Sequence, residues 1–140
     1  MAYYPYSDEI FVAQKGKGTL LNGKKTEVSK VKDLRVSAIS HGSVDRFQRL
    51  NKLSSLVKIC ATLQSRRSLS TLGYSLLWKG QVDVVLEPGG GIQDFAAPSI
   101  ITKEAGGKFT DFDGIESITS GTGILSNGLI HHKVLKILNS

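Results

Sequence analysis

Two carboxylates bracket a run of glycines. Glu87 closes the stretch "VDVVLE", and Asp94 follows the break made by Pro88 and three glycines, at the opening of "DFAAPSIITKEAGG". Carboxylate oxygens are hard ligands. Mg²⁺ takes one or two protein carboxylates, keeps several waters and completes its shell with substrate phosphate. In an open α/β sheet, residues just past a strand end face the crevice where ligands collect. A pair at this place therefore suits a substrate or a hard metal ion. The same residues also have plain structural roles. Asp94 suits a helix N-cap, favoured by the helix dipole, and Glu87 suits an exposed strand end. Spacing alone leaves both readings open.

Other chemistry-bearing residues are less suggestive. His41 stands between a strand and a helix cap. His131 and His132 open the last helix, where adjacent side chains diverge and do not chelate together. All three read as surface residues. Cys60, within "LVKICATL", reads as a small buried hydrophobe, and Asp111 and Asp113 read as turn residues around Gly114. Arg66 and Arg67 precede a helix and are read as a solvated loop that could meet an anion. The glycines at 89–91 lack the lysine and serine of a P-loop.

The elements that must position these residues can be traced along the chain. "EIFVAQKGKGTLLNGKKTEVS" predicts strand, turn, strand, with Asn22-Gly23 as a tight turn. "DLRVSAIS" predicts a strand with Leu34, Val36 and Ala38 on one face. "SVDRFQRLNKLSSLV" predicts a helix capped by Ser43, with Val44, Phe47, Leu50, Leu53 and Val57 inward. "KICATL" is expected to return as a strand. "SLSTLGYSLLWKG" is expected as a helix with Leu69, Leu72, Leu76 and Leu77 inward, stopped by Gly80. "VDVVLE" reads as a strand covered on both faces. The next helix has Asp94 at its cap and Pro98 in or just past the first turn. "KFTDFDG" and "TGILSNG" read as strands and "HHKVLKIL" as a closing helix. The alternation from residue 31 onward implies an α/β fold, layered α-β-α, with a mostly parallel sheet flanked by helices. Residues 1–30 fall outside that pattern and read as a β-hairpin belonging to a neighbouring lobe, with 31–140 as an α/β lobe.

Composition bounds the class. The chain has 140 residues, 40% hydrophobic and 21% charged, enough for a real core. No apolar run approaches the ~20 residues that span a bilayer, and "MAYYPYSDEI" shows no secretory signal. A single cysteine excludes an internal disulfide framework and fits a reducing, cytoplasmic compartment. The net charge of +6 is uneven. Residues 1–70 hold 13 Lys/Arg against 5 Asp/Glu, and residues 71–140 hold 5 against 7. The basic residues are scattered and no aromatics interleave with them, which argues against nucleic acid and for a solvated surface.

Between Val82 and Gly114 the sequence resembles the C-terminal half of the inositol monophosphatase family, most closely its bacterial histidinol-phosphatase branch. The residues that carry the resemblance are Glu87 at the strand end, then Asp94, Ala96, Ala97 and Glu104-Ala105-Gly106-Gly107. Residues 5–29 resemble the family segment ahead of its C-terminal lobe: Pro5, the acidic pair Asp8-Glu9, then Ala13, Gly16, Gly18 and Asn22-Gly23. "SNGLIHHKVLKIL" resembles the family ending. The resemblance implies Mg²⁺-dependent hydrolysis of a small phosphorylated metabolite. It makes Asp94 a metal ligand, which can cap the helix as well, and Glu87 a weaker candidate for substrate contact. It also marks departures. The family's Asp-Pro-x-Asp-Gly-Thr segment does not occur in these 140 residues, and no Gly-x-Glu stands in the upstream position. Gln93 replaces the tryptophan before Asp94, and Leu69 and Ser70 stand where small or acidic substrate-facing residues usually do. One carboxylate does not assemble a multi-metal site. The chain is therefore expected to be inactive alone, with a separate N-terminal half or a homodimer as partner. The alternative is a non-catalytic module that binds an anionic partner or pairs strands.

Overall fold

The structure, a computed structural model, describes residues 1–63, 65–69 and 71–140. Strands β1 (Ala2–Tyr4), β2 (Glu9–Gln14), β3 (Gly18–Leu21) and β4 (Lys24–Thr26) form an antiparallel sheet in chain order. The expected hairpin is thus part of a four-stranded meander. Its turn is as expected. Leu21 pairs with Lys24 across Asn22 and Gly23, whose φ values of 47° and 81° are left-handed, as a two-residue hairpin turn demands. Strand alternation buries Phe11 and exposes Ile10 and Val12. Because β2 lies inside the sheet, those exposed residues sit on a sheet face and not on a free edge.

The second sheet has the order β6 (Ser65–Arg67), β5 (Ala38–His41), β7 (Val84–Glu87), β9 (Gly123–Ser126), β8 (Lys108–Thr110). β6, β5 and β7 are parallel, and β9 runs antiparallel to both β7 and β8. Only β9 therefore opposes the common direction. The helices are α1 (Val44–Arg49), α2 (Leu53–Thr62), α3 (Leu72–Trp78), α4 (Ile92–Glu104) and α5 (His131–Leu138). Period-two alternation splits the core. Val84 and Leu86 of β7 pack with Phe47, Leu56, Ile59, Val134 and Leu138 from α1, α2 and α5. Val85 packs on the other face with Tyr74, Leu77, Trp78, Phe95 and Ile101 from α3 and α4. Phe11 joins that second cluster, so the N-terminal sheet covers the outer side of α3 and α4. The layered architecture is as the alternation implied, and the sheet is mixed, with four of its five strands sharing one direction.

Several local expectations differ. "KICATL" continues α2 rather than forming a strand, because Leu56, Ile59 and Leu63 bury one helical stripe. Residues 44–57 do not form one helix: Asn51, at φ 55°, separates α1 from α2. That break rotates the register, and Val44, Leu50 and Val57 are exposed. Leu34–Val36 is a turn of 3₁₀ helix ahead of β5, which buries Leu34 and leaves Val36 in solvent. In α3 the buried stripe is Tyr74, Leu77 and Trp78, while Leu72 is exposed and Leu69 and Leu76 are half-buried. The helix starts at Leu72, after Thr71, and not at Ser68 as expected. Arg66 and Arg67 belong to the edge strand β6. Arg66 donates from Nε and Nη2 to the carbonyls of Cys60 and Leu63, capping α2.

Two buried polar knots hold the layers in register. Asp83 accepts the Ala38 N–H at 2.7 Å and the Ser29 hydroxyl. Asn127 donates to Val31 O at 2.8 Å. Together they tie the connector between the sheets to β5, β7 and β9. His131 is buried at 1% exposure, against the expectation of a surface residue. Its ring lies 2.8 Å from Ser126 Oγ and 2.9 Å from Thr110 Oγ1, so both nitrogens are satisfied without charge. Asp111 keeps its expected turn role, accepting from the Asp113 and Ile115 N–H groups.

Candidate active site

The order β6-β5-β7 sets the location of the site. From β5 the chain leaves into α1 on one face and travels toward β6. From β7 it leaves into α4 on the opposite face and travels toward β8. The carboxyl ends of β5 and β7 thus diverge, and the crevice between them is the topological switch point at which open α/β sheets bind ligands.

Residues 42–46 after β5 and 87–94 after β7 meet there. A cavity of about 520 Å³ is lined by Arg46, Thr71, Tyr74, Glu87, Gly89, Gly90, Gly91 and Asp94. The two carboxylates singled out in the sequence therefore face one space. The glycine loop carries Asp94 into it, with Gly90 N–H donating to Gly121 O at 3.0 Å. Asp94 itself is exposed and is not the N-cap. Gly91 caps α4 in an extended conformation, and Asp94 is the third helical residue. From there its Oδ2 reaches back to accept the Gly91 N–H at 2.8 Å and the Gln93 side-chain amide at 3.3 Å, the reciprocal half of a capping box. Among the described residues nothing donates to Oδ1. One carboxylate thus fixes the helix start with one oxygen and keeps the other free of donors at the cavity wall. Pro98 falls in the second turn of α4, where its missing N–H leaves the Asp94 carbonyl without its usual helical donor.

Glu87 is half-buried. Burial pushes its carboxyl above the usual range, and the Arg46 charge and the Gly89 N–H pull it back. Tyr74 is 4% exposed. Its phenol is raised by burial first and by the negative Glu87 and Asp94 second, so at neutral pH it is a neutral donor. Arg46 Nη1 donates to Gly89 O at 2.9 Å. Sequence reasoning missed Arg46, Thr71 and Tyr74. Arg46 sits on α1, which reads only as an amphipathic helix, and Tyr74 reads as helix core. No local signal places either at the crevice. His41, whose Nδ1 bonds Gly42 O at 2.8 Å, and Cys60, half-buried with a thiol raised by burial, line a separate apolar groove. Leu69 is half-buried, and Ser70 lies outside the described residues.

The residues present do not by themselves make a magnesium centre. Among the described residues no three Asp, Glu, His or Cys side chains converge on one point. Asp94 offers one oxygen without a donor, and Glu87 is the one other carboxylate that lines the cavity among the described residues.

The family described as the inositol monophosphatase family matches residues 1–140. Histidinol-phosphatase of Mycobacterium tuberculosis is 32% identical over 117 residues, covering 83% of this chain and 45% of that protein. The solved IMPase of Thermotoga maritima superposes with a TM-score of 0.86 at 33% identity, over 98% of this chain and 54% of that one. An IMPase/NADP phosphatase complexed with NADP and Ca²⁺ superposes with a TM-score of 0.83 at 25% identity, over 99% and 54%. The chain spans about half the length of the curated relatives it matches.

Proposed function

The chain belongs to the inositol monophosphatase family, and from that premise we propose that it forms one wall of a phosphomonoester hydrolase site whose other acidic ligands lie outside these 140 residues. The observation that carries the reading is Asp94, a carboxylate fixed by one oxygen at a switch-point cavity where, among the described residues, no group of three ligating side chains gathers to hold a metal. The reading is supported by relatives named as phosphatases, of which this chain spans about half, alongside others named Nus factor SuhB. Mg²⁺, when bound, would supply Lewis-acid polarisation and a water of lowered pKa. The residues of this chain have their own tasks. Asp94 holds one ligand oxygen in place through the Gly91 bond. Tyr74 and Thr71 shape the floor for a small phosphorylated metabolite, and Glu87 accepts hydrogen bonds from its alcohol portion. Residues 1–30 belong in this reading to a sheet shared with the other half. Tyr3, Ile10, Val12 and Leu20, all exposed on its outer face, form the apolar surface that half would cover.

Titrating Mn²⁺ into the isotope-labelled chain tests the role of Asp94. The expected result is weak binding, about millimolar, with paramagnetic broadening centred on Gly91–Phe95 that Asp94→Asn removes. Broadening centred elsewhere, or unchanged in the variant, contradicts the assignment.

A further inference from the structure

A second cavity, about 320 Å³, lies beside the first and is lined by Gly42, Ser43, Arg46, Ser68 and Glu87. The two cavities share Arg46 and Glu87, so a ligand extending from Asp94 enters the smaller one past these side chains. Arg46 is exposed yet seated. A Cβ on Gly89 would lie 2.5 Å from its Nη1 and 2.9 Å from its Cδ, so the arginine lies flat across a glycine that leaves room for it. The Gly89 carbonyl then fixes Nη1 at 2.9 Å. The neighbouring acid, Asp45, is engaged elsewhere: it pairs with Arg49 at 3.0 Å and accepts from Ser43. Glu87 faces Arg46 without forming an ion pair, and among the described residues no carboxylate oxygen lies within 4.0 Å of the guanidinium. A guanidinium has five N–H donors in a planar fork, and one bond to a carbonyl leaves donors free for an oxyanion.

We propose that the smaller cavity is a second-anion subsite, with Arg46 as its cation, which selects phosphate monoesters carrying a further carboxylate or phosphate at the end remote from the reacting phosphorus. The inference rests on reading the Asp94 cavity as the phosphate site. A neutral polyol would leave the guanidinium facing solvent, whereas a second oxyanion would gain a charge-assisted hydrogen bond at the rim. Glu87, on the same wall, sets the spacing by repelling any anion that does not lie on the Arg46 side.

A matched pair of ligands tests this. 3-Phosphoglycerate and glycerol 3-phosphate share a three-carbon phosphomonoester and differ in a carboxylate. Their affinities for the isotope-labelled 140-residue chain are measured by chemical-shift titration, in Mg²⁺ and again in EDTA. The carboxylate is expected to tighten binding about tenfold. Arg46→Gln should bring the ratio to about one, and Gly89→Ala should lower it by displacing the arginine. A ratio near one in the native chain, a ratio retained in Arg46→Gln, or no binding of either ligand by the folded chain overturns the proposal. The two readings fail separately. A ratio that persists with no response to Mg²⁺ sinks the metal assignment alone. A ratio of one in a chain whose affinities rise with Mg²⁺ sinks the subsite alone.

Discussion

Joined to an upstream half from a relative that carries the two acidic segments, this chain is expected to support Mg²⁺-dependent release of phosphate, and Asp94→Asn is expected to cut kcat/KM by on the order of 10²-fold or more. The size follows from what a metal ligand does. Exchanging a carboxylate for an amide removes a unit of negative charge from beside a divalent cation, and about 3 kcal/mol of transition-state stabilisation is a hundredfold in rate. Asn at 94 still offers an oxygen to the Gly91 N–H, so the start of α4 survives and the loss is chemical rather than a matter of folding. Glu87→Gln should behave differently. Glu87 lines the same cavity and in this reading meets the alcohol portion of the substrate rather than the ion, so its loss should raise KM more than it lowers kcat. Steady-state kinetics of the three assemblies separate the two roles. Equal losses in kcat for Asp94→Asn and Glu87→Gln contradict the division.

The second large effect concerns stability in acid. Burial, then the nearby Lys108 and His132 charges, push His131 down to about 4 from its ordinary 6.5. The native state therefore binds fewer protons than the unfolded chain between these values, and stability rises with pH across the window. Above about pH 6.5 the residue is neutral in both states and contributes no slope. As pH falls from 6.5 to 4, the unfolded chain gains a proton that the native state refuses. The expected loss is about 3 kcal/mol. Carboxylates held low by partners, such as Asp33 at about 2 beside Arg35 and Glu9 beside Lys79, lose their contribution from about pH 5 downward and overlap only the acid end of this window. The raised Glu87 acts in the opposite direction. Urea midpoints of the native chain and His131→Gln, compared from pH 7.5 to 4.5, isolate the histidine. The variant should lose less than the native chain as pH falls, and parallel curves would contradict the assignment.

Much of this architecture is legible in the residues. The run Val84-Val85-Leu86 alternates between two cores because strand side chains point to opposite faces, and its β-branched character states as much. Asn22-Gly23 announces its turn because both tolerate positive φ. What is not legible depends on tertiary partners. "KICATL" has strand-like composition, yet its apolar residues fall on a helical stripe once Asn51 resets the register. His131 looks like a polar helix start until Thr110 and Ser126 are seen to satisfy both ring nitrogens. At the site, Asp94 and Glu87 are readable because each stands at an element end in a recognisable stretch. Arg46 and Tyr74 are not, because they arrive from α1 and α3 and only the crossing of β5 and β7 connections brings them to one crevice. Asp94 reads as the helix cap, but three glycines let the helix begin three residues earlier, with Gly91 as the cap, and the carboxylate reaches back to do part of the capping from inside the first turn.

The most direct measurement is phosphate release by the purified 140-residue chain alone, with Mg²⁺ present, from inositol phosphate, histidinol phosphate and an aryl phosphate. The account predicts a rate no higher than that of a heat-inactivated control, since a lone Asp94 does not gather the cations a phosphoryl group needs. Sustained Mg²⁺-dependent turnover that disappears in Asp94→Asn would show that these residues complete a metal centre by themselves, and would contradict it.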